Sequence, residues 1–512
     1  MEKYRGLSPA QFFHRNKEIA GFSNPARALY QTVRELVENS LDATETHGLL
    51  PDISVEISLD SNNPDRVTVK VADNGIGIPI HEVPNVFGRV FYGSKYVVRQ
   101  TRGVFGLGVK MAVLYAQMTT AQPIYVKSAP INSDFIGEYL LYIDIDKNIP
   151  HVLKMRIRKK ENPKLHGTVV KLTLEGSWVQ AKKRIEEYIR RTALIAPYAT
   201  IRYKTPEEEL VFKRVSKKLP EPPQVGRYHP KGVDVEVLKE IIKTVRDPDT
   251  TLMDFLVKSF DGVGEKTAQD FLHWAGFDPS IKVKELRLHD LEALASKMKS
   301  FNKWRRPRPT TLSPIGEELL KEGVKNILRP SFVKAVTRPP SSYSGHPFIV
   351  EVAVAYGGEI PPQDQPIVLR FANKMPLLYD EGVDVSRKVV DEIDWSVYKV
   401  KFPAPLAVIT HLCSTKIPFK GVGKEAIADV PEVEHELEIA IREASRRLRA
   451  YITRMERLHE IQRKEAIIRR YMPEVISAIS EVASLDPSIL EKKLEEILKR
   501  ELGKKGVEQY VK

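Results

Sequence analysis

The fold of this 512-residue chain is decided by the stretch Glu35-Leu36-Val37-Glu38-Asn39-Ser40-Leu41-Asp42-Ala43. Asn24 can cap a helix that contains this stretch, and Pro25 suits the first turn of that helix. Helical spacing then predicts a buried stripe of Leu29, Val33, Leu36, Val37 and Ser40. Glu35 and Asn39 share a different face, where a carboxylate can polarise water and an amide oxygen can bind magnesium without adding negative charge. An ordinary amphipathic helix with a solvated acidic face would show the same pattern.

A second segment, Asp73-Asn74-Gly75-Ile76-Gly77-Ile78-Pro79, follows a predicted strand at residues 67–72. The carboxylate of Asp73, buried beside flexible backbone, can accept a hydrogen bond from the exocyclic amine of adenine. Gly75 and Gly77 would remove side chains where the base must lie. Asp-Asn-Gly is also strong turn chemistry, so a simple strand-ending turn is the alternative.

A third segment, Gly103-Val104-Phe105-Gly106-Leu107-Gly108-Val109-Lys110, leads into an apolar run at residues 111–114. Its glycines would expose backbone N–H groups at the start of a helix, where they can hold phosphates, and Lys110 would add positive charge. The segment is not a Walker P-loop, because no Gly-Lys-Ser/Thr follows. It is not a Rossmann fingerprint either, because the expected first strand and spacing are missing.

These segments, together with His166-Gly167-Thr168 at the start of a predicted strand, resemble the GHKL ATPase superfamily. The resemblance implies ATP and Mg²⁺ as cofactors, with Glu35 as general base, Asn39 as magnesium ligand and Asp73 as adenine anchor. It makes residues 103–110 the hinge and phosphate cradle of an ATP lid, and it places Thr168 near the adenine. The nucleotide-binding residues that it implies are Asn39, Asp73, Gly75, Gly77, Ser94, Lys95, Gly103, Val104, Phe105, Gly106, Leu107, Gly108, Val109, Lys110, Thr168 and Lys424.

Three further segments, residues 7–13, 87–96 and 411–418, are similar to the ATPase subunits of archaeal type IIB DNA topoisomerases, and the similarity covers nearly the whole chain. This resemblance implies an α+β multidomain fold. Its parts are a GHKL (Bergerat) α/β sandwich, a helix–two-turns–helix insert, a transducer domain of the ribosomal-protein-S5 type and a long C-terminal helix.

Breaks in the sequence pattern predict where these parts begin and end. We expect an N-terminal dimer-exchange segment at 1–24, the ATPase domain at 25–217, a proline-rich linker at 218–229, the insert at 230–306, the transducer at 307–430 and a stalk helix with a partner-docking end at 431–512. Pro220, Pro222 and Pro223 should make the linker stiff.

Two features of the insert each allow two interpretations. Residues 262–268 place glycines ahead of a helix, where the backbone could approach a DNA phosphate, but a helix-capping turn explains them equally well. Residues 297–308 interleave aromatic side chains with lysine and arginine. This composition suits DNA binding, whereas the prolines there suit a solvated linker.

The transducer region predicts strands at residues 348–356, 366–372 and 406–412. In the loop that follows, the resemblance makes Lys424 a switch lysine that reaches the γ-phosphate from the neighbouring domain. Lys416 and Lys420 are close rivals for this role. Gyrase-type relatives carry a glutamine two residues before the lysine, whereas this chain has Val422.

A long helix is predicted after Val430, because apolar residues recur there at helical spacing. Pro473 and Pro487 are expected to interrupt it. Leu490, Leu494 and Leu498 then form a last amphipathic stripe, which we expect to dock onto a partner.

Composition limits the class of protein further. The formal charge of +13 and the pI near 9.3 imply an anionic partner, and nucleic acid fits best. The single cysteine, Cys413, excludes an internal disulfide and a cysteine-based zinc site. The chain shows no apolar run that could cross a bilayer and no signal-peptide core at its start, so we expect a cytoplasmic protein without a membrane partner.

The resemblance as a whole implies an ATP-operated clamp. Two copies would dimerise through their ATPase domains around a transported DNA duplex, partly by exchanging residues 4–13. A second kind of chain, the tyrosine-bearing A subunit, would cut the other duplex in an A2B2 assembly, so no residue of this chain is assigned to DNA cleavage. The alternatives are a MutL-type repair protein or an ATPase chaperone with the same pocket. A sensor kinase would need a phosphoacceptor histidine ahead of the ATP domain, and His14 lies only ten residues before Asn24.

Overall fold

The computed structural model describes residues 6–94, 97–103, 107–421 and 423–506, with the backbone alone at 499–506. The chain forms two compact units. The first unit comprises residues 1–393 and 403–444, and it contains two β-sheets and the helical insert. The second unit comprises residues 394–402 and 445–512 and is mainly helical.

The first sheet has eight strands in the order β5-β4-β3-β6-β2-β1-β7-β8. The strands are β1 (Asp52–Leu59), β2 (Arg66–Asp73), β3 (Ile124–Ala129), β4 (Phe135–Asp144), β5 (Ile149–Lys159), β6 (Gly167–Glu175), β7 (Thr200–Lys204) and β8 (Glu209–Phe212). Strands β1 and β7 pair in parallel, and the other neighbours pair antiparallel. The predicted strand at 67–72 therefore lies within β2, and Asp73 is its last residue.

Five helices accompany this sheet: α1 (Pro9–Arg15), α2 (Pro25–Glu45), α3 (Val83–Gly88), α4 (Gly108–Thr120) and α5 (Trp178–Ile195). Helices α2, α4 and α5 pack against the sheet, with α2 in contact with the other two. The start of α2 is as predicted, because the side chain of Asn24 accepts a hydrogen bond from the Arg27 amide at 2.9 Å. The predicted apolar stripe of α2 is also confirmed, since all five of its residues are buried.

The insert is a bundle of four helices: α6 (Val235–Thr244), α7 (Leu252–Ser259), α8 (Glu265–Ala275) and α9 (Leu288–Ser300). It has a hydrophobic core of its own. The aromatic residues of the basic stretch 297–308 belong to that core, because Phe301 and Trp304 pack against Phe271 with ring centroids 5.3 and 4.8 Å away. Neither sequence interpretation foresaw this, although the lysines and arginines of the stretch are exposed.

The second sheet has six strands: β9 (Phe332–Thr337), β10 (Ser341–Tyr343), β11 (His346–Tyr356), β12 (Ile367–Ala372), β13 (Met375–Leu377) and β14 (Leu406–Ser414). The order is β10-β11-β14-β12-β13, and β9 also pairs with β11. Helix α10 (Glu317–Leu328) precedes the sheet, and α11 (Val385–Glu392) precedes β14. The three strands that the sequence predicts here correspond to β11, β12 and β14.

The two sheets share one continuous hydrophobic core through α10. Helix α10 approaches α5 closely at Gly323, where a Cβ atom would lie 1.9 Å from the Leu194 carbonyl oxygen. Buried apolar residues of α10, such as Leu320 and Val324, lie in the same cluster as residues of the first sheet. The predicted ATPase and transducer domains therefore share a hydrophobic core in this conformation.

The C-terminal part consists of α12 (Pro431–Ala483) and α13 (Pro487–Gly506). The expectation that Pro473 interrupts the helix is wrong, because α12 continues through it. A proline costs a helix one hydrogen bond and some steric strain, and the rest of this 53-residue helix outweighs that local loss. The interruption at Pro487 is confirmed: the helix ends before it, and Pro487 occupies the first position of α13, where its missing N–H costs nothing.

The stripe of Leu490, Leu494 and Leu498 is less exposed than the sequence suggested. Arg469 of α12 pairs with Glu495 of α13 at 2.8 Å, Leu498 is buried, and Leu490 and Leu494 are half-buried. Within the described ranges, no helix has the length and apolarity needed to span a bilayer.

Candidate nucleotide site

The carboxylate of Glu35 lies against the first residue of α4. It is half-buried, and a Cβ atom built on Gly108 would fall 1.7 Å from its Oε2 atom. Any side chain at position 108 would therefore displace the carboxylate from where it lies. The start of a helix carries unpaired N–H groups and a partial positive charge, so the site suits anions. Asn39 follows one turn later on α2 and is also half-buried.

Asp73 is held by three donors at the end of β2. Its Oδ1 accepts from the backbone amides of Gly75 at 2.8 Å and Thr168 at 3.2 Å, and its Oδ2 accepts from the Ser40 hydroxyl at 3.0 Å. Burial raises the pKa of the Asp73 carboxyl, although these hydrogen bonds oppose the shift. Each carboxylate oxygen has two acceptor positions, so Oδ2 can also accept from an amine of a ligand.

The predicted His166-Gly167-Thr168 segment supports Asp73 through its backbone. Gly167 has a φ of +123°, and a Cβ atom there would lie 2.0 Å from the Asp73 carbonyl oxygen. This close approach brings the Thr168 amide to the carboxylate. His166 adds a contact between its Nδ1 and the Gly75 carbonyl oxygen at 2.9 Å.

The glycines after Asp73 face protein atoms. A Cβ atom on Gly75 would lie 2.7 Å from the Ala43 Cβ, and one on Gly77 would lie 2.5 Å from the Ala129 carbonyl oxygen. Packing of the turn against α2 and β3 therefore already requires glycine at both positions. The sequence interpretation assigned them to space for the base, and that role stays a prediction.

Val104, Phe105 and Gly106 of the predicted lid lie outside the described residues. Lys95 and Val422 lie outside them as well. Thr101 and Arg102 form the lid approach, and Gly103 begins the lid. Leu107 precedes α4, and Gly108, Val109 and Lys110 form the first turn of that helix. The ammonium of Lys110 is buried and donates to the Tyr92 carbonyl at 2.8 Å. Ser94 is exposed.

The three rival lysines of the transducer loop have different surroundings. Lys424 donates to the Arg102 carbonyl at 3.3 Å, immediately before the lid. Lys420 forms an exposed pair with Asp429 at 3.1 Å. Lys416 is exposed near His346, where burial and then the charge of Lys416 lower the pKa of the imidazole to about 4. Of the three, Lys424 thus lies beside the lid approach.

A buried ionic cluster that the sequence reasoning missed fixes the residue after Lys424. The guanidinium of Arg34 donates to Glu38 at 2.8 Å and to Glu425 at 3.2 Å, and Gln31 donates to Glu425 at 3.2 Å. Burial raises the pKa of Glu38, and the positive charges of Arg34 and Lys424 oppose this rise. Helix α2, which carries Glu35 and Asn39, therefore also holds the transducer loop.

A second missed cluster connects the lid approach to the transducer. Arg102 donates to Asp42 at 2.9 Å and to Glu45 at 2.7 Å, and Lys374 donates to Glu45 at 3.1 Å. Burial alone would raise the pKa of Glu45, but the charges of Arg102 and Lys374 outweigh it and lower that pKa. The i,i+4 spacing of Arg34 and Glu38 was the available signal for the first cluster, whereas the second has no local signal.

Glu351, His411 and Cys413 lie close enough together to suggest a metal site. However, His411 Nε2 accepts from the Lys374 backbone amide at 2.9 Å, so Nδ1 carries the proton and donates to Glu351 at 2.8 Å. Glu351 also accepts from the amides of Ile315 and Gly316. Both imidazole nitrogens are thus occupied, and burial raises the pKa of the Cys413 thiol well above its usual range. The cluster is a satisfied part of the core.

The comparisons with known proteins agree with this architecture. A model of histidine kinase-, DNA gyrase B- and HSP90-like ATPases matches residues 24–174, and a model of the topoisomerase VI B subunit transducer matches residues 307–464. The B subunit of type 2 DNA topoisomerase 6 from Pyrobaculum aerophilum is 53% identical over 512 residues, covering 100% of this chain and 96% of the relative. Proteins of the same name from Metallosphaera sedula (49% over 481 residues, 94% and 90% covered) and Saccharolobus shibatae (45% over 521 residues, 100% and 98% covered) are similar too.

The fold and the matched regions define the class as a GHKL ATPase joined to a transducer and a long C-terminal helix. Full-length identity with the curated relatives then narrows the class. The chain belongs to the family of type 2 DNA topoisomerase 6 B subunits. Neither a MutL-type repair protein nor a chaperone is favoured by these relatives.

Proposed function

We propose that this chain is the ATP-operated clamp of a type IIB DNA topoisomerase, hydrolysing ATP to drive passage of one duplex through another. One observation supports this most directly. The carboxylate of Glu35 on α2 lies against Gly108 at the start of α4, and buried side chains of the same helix α2 hold Glu425, the neighbour of Lys424. A nucleotide bound there would touch the base, the lid and the transducer together.

The residues present fit ATP. The Asp73 carboxylate would accept a hydrogen bond from the exocyclic amine of adenine. Burial already disfavours the charge of this carboxylate, and a donor from the ligand would relieve that cost. Thr168 would support Asp73 from β6. The N–H groups of Gly108, Val109 and Lys110 would receive the phosphates at the positive end of α4. Gly103 and residues 104–107, with Ser94 and Lys95, would complete the lid.

Asn39 would hold the magnesium ion through its amide oxygen. The ion, when bound, would neutralise phosphate charge and so make attack on the γ-phosphate easier. Glu35 would take the proton of the attacking water, because its carboxylate lies one turn from Asn39 and faces the phosphate cradle. Lys424 would leave the Arg102 carbonyl and donate to the γ-phosphate, and it would lose that contact when phosphate leaves.

The assembly that we propose has two copies of this chain, two copies of the A subunit and duplex DNA. The two ATPase domains would close on each other with exchange of N-terminal segments at residues 1–24, of which residues 6–24 are described here. The basic charge of the chain would attract the DNA backbone. The insert would contribute exposed lysines and arginines, while the A subunit would supply the cleaving tyrosine in the cytoplasm.

The docking surface for the A subunit would lie on the C-terminal helices. Large apolar side chains are exposed on these helices and on the turn between them: Ile467, Ile468, Tyr471, Val475, Ile479, Val482, Leu485, Ile489 and Ile497. Exposed apolar side chains in such number are typical of a surface that a partner covers. This differs from the docking stripe expected from the sequence, because that stripe is already partly covered by α12.

The function is tested by Glu35→Gln. We expect hydrolysis to fall by roughly 10² to 10⁴ while ATP binding and ATP-driven dimerisation persist, because proton transfer is lost but the cradle is kept. Steady-state ATPase rates and nucleotide binding would be measured with and without duplex DNA. Asn39→Ala should instead weaken magnesium-nucleotide binding itself.

The matched control is Glu56→Gln, which breaks an exposed pair with Lys70 on the same domain and should change neither property. If Glu35→Gln loses binding to the same extent as turnover, Glu35 is not the base. If unfolded protein stimulates the ATPase and duplex DNA does not, the chaperone alternative is correct.

A further inference from the structure

The turn between β12 and β13 has an unusual backbone. Its two residues, Asn373 and Lys374, connect the paired positions Ala372 and Met375. Both have positive φ angles, +48° and +63°. Asparagine tolerates this region, whereas lysine rarely adopts it, so the surrounding structure must hold Lys374 there.

The transducer supplies the contacts that hold the turn. The backbone amide of Asn373 donates to the Leu412 carbonyl at 2.8 Å, and the side-chain Oδ1 of Asn373 accepts from the Ser414 backbone amide at 2.9 Å. The Lys374 amide donates to His411 Nε2 at 2.9 Å. His411 is in turn fixed by Glu351, so the buried cluster described above serves to shape this turn.

The side chains of the turn hold the approach to the lid. Asn373 Nδ2 donates to the Thr101 carbonyl at 3.0 Å. Lys374 Nζ donates to Glu45 at 3.1 Å and to the Ser313 hydroxyl at 2.9 Å, and Glu45 accepts from Arg102. Thr101 and Arg102 directly precede Gly103, where the lid begins. The turn therefore contacts the lid approach through the Asn373 side chain, which reaches the Thr101 carbonyl, and through the carboxylate of Glu45, which Lys374 and Arg102 share.

Lys374 and Lys424 reach the same segment in different ways. Lys424 is half-buried and makes a 3.3 Å contact with a carbonyl, so it can exchange that partner at little cost. Lys374 is 4% exposed and carries a buried charge that needs its carboxylate. A buried ammonium without its partner is strongly unfavourable, so this contact should persist when Lys424 moves.

We infer that Lys374, together with Asn373, is a positioning residue that fixes the lid approach to the transducer while Lys424 changes partner. The fixed contact lets a movement of the lid become a movement of the transducer, so that hydrolysis is coupled to DNA passage. The inference rests on the proposed function. It adds a residue that acts through Thr101 and Arg102 and touches neither ATP nor the reacting atoms.

The test is Lys374→Met in the complete assembly with its cleaving partner, with ATP turnover and supercoil relaxation measured in the same reactions. We expect turnover to stay within about threefold of wild type while relaxation per ATP hydrolysed falls about tenfold, the size typical of a lost coupling contact. Lys374→Arg, which keeps the charge, should recover most of the ratio. Lys388→Met is the matched control, because it breaks an exposed pair with Glu434 in the transducer and should leave the ratio unchanged.

An unchanged ratio in Lys374→Met, or an equal fall of turnover and relaxation, would overturn the inference. If Lys374→Met fails to fold, Asn373→Gly replaces it. Glycine accepts the positive φ angle but lacks the side-chain amide that reaches Thr101, so Asn373→Gly should lower the relaxation per ATP hydrolysed similarly. An unchanged ratio in this variant would also overturn the inference. Absence of ATP-dependent relaxation in the wild-type assembly would instead refute the proposed function.

Discussion

The helical insert and the contact between the ATPase domain and the transducer are stabilised by different interactions. The insert is built around packed rings, with Phe255, Phe260, Phe271, Phe301 and Trp304 in one aromatic core. The contact instead uses buried ions, with Arg34, Glu38 and Glu425 in one cluster and Arg102, Glu45 and Lys374 in the other. Apolar packing does not depend on charge, whereas the stability of an ionic contact depends on every charge near it.

This difference suits the two regions to different tasks. Buried ion pairs add little net stability, because desolvation offsets most of their attraction, but loss of one partner is costly. A phosphate group arriving beside the first cluster would change the balance of charge there and therefore the partner that Lys424 prefers. An aromatic core offers no such response. We therefore expect substitutions in the ionic clusters to affect stability and also ATP turnover or its coupling to DNA passage, and substitutions in the aromatic core of the insert to affect stability alone.

The largest effect should come from Glu425→Ala. The change leaves Arg34 buried with one carboxylate fewer and releases the residue next to Lys424, so the free energy of unfolding should fall by about 3–5 kcal/mol. ATP turnover should fall as well, because Lys424 loses its fixed neighbour. Urea unfolding and steady-state ATPase rates would measure the two effects.

Phe271→Ala is the matched comparison in the insert. It should cost a similar amount, about 3–5 kcal/mol, because it opens a cavity among the rings. ATP turnover should stay near the wild-type value. Loss of turnover in Phe271→Ala, or normal turnover in Glu425→Ala, would break the distinction between the two regions.

Sequence reasoning found what local patterns encode. The cap and stripe of α2, the strand ending at Asp73 and the three transducer strands follow from periodicity and turn chemistry. The ionic clusters do not, because Arg34 and Glu425 are 391 residues apart and Glu45 and Lys374 are 329 apart. On a helix, acidic residues that will be buried look the same as those of a solvated face.

Some structural features depend on the balance of many weak interactions, and the sequence patterns did not predict them for that reason. The helix through Pro473 is one case, because the stability of the long helix α12 outweighs the tendency of proline to end a helix. The aromatic residues at 301 and 304 are another, because a basic stretch can cover its own apolar side chains with neighbouring helices. The roles of Glu35, Asn39, Asp73 and Lys424 toward ATP stay predictions.

A smaller effect is expected for Lys424→Ala, which leaves the ionic cluster in place and removes only the exchangeable contact. Hydrolysis should fall roughly 10²-fold, as for the loss of one charge-stabilising donor, and stability should change little. Solution scattering should no longer distinguish ATP-like from ADP-like states. Lys420→Ala is the control from the same loop, because its exposed pair with Asp429 can be lost cheaply. A normal cycle in Lys424→Ala would transfer the switch role to Lys416 or Lys420.

The smallest effect concerns pH, and its sign should differ between Glu45 of the ionic contact and Asp73 at the end of β2. The pKa of Glu45 is lowered in the folded protein, although burial opposes Arg102 and Lys374. Its contribution to stability is therefore present above the unfolded pKa near 4.3 and is lost as pH falls through the folded value. The stability advantage of wild type over Glu45→Gln should narrow on acidification.

Asp73 should show the opposite sign, because burial raises its pKa in the folded protein. The folded state then takes up the proton first, so the stability of wild type relative to Asp73→Asn should increase as pH falls through the folded pKa and decrease as pH rises through it. Unfolding curves for wild type and the two variants from neutral pH down to about pH 3, below the reference pKa values of both groups, would measure both differences. Parallel pH dependence for Glu45→Gln and Asp73→Asn would contradict the contrast between Glu45, whose burial is outweighed by two cations, and Asp73, whose burial is not outweighed by its hydrogen bonds.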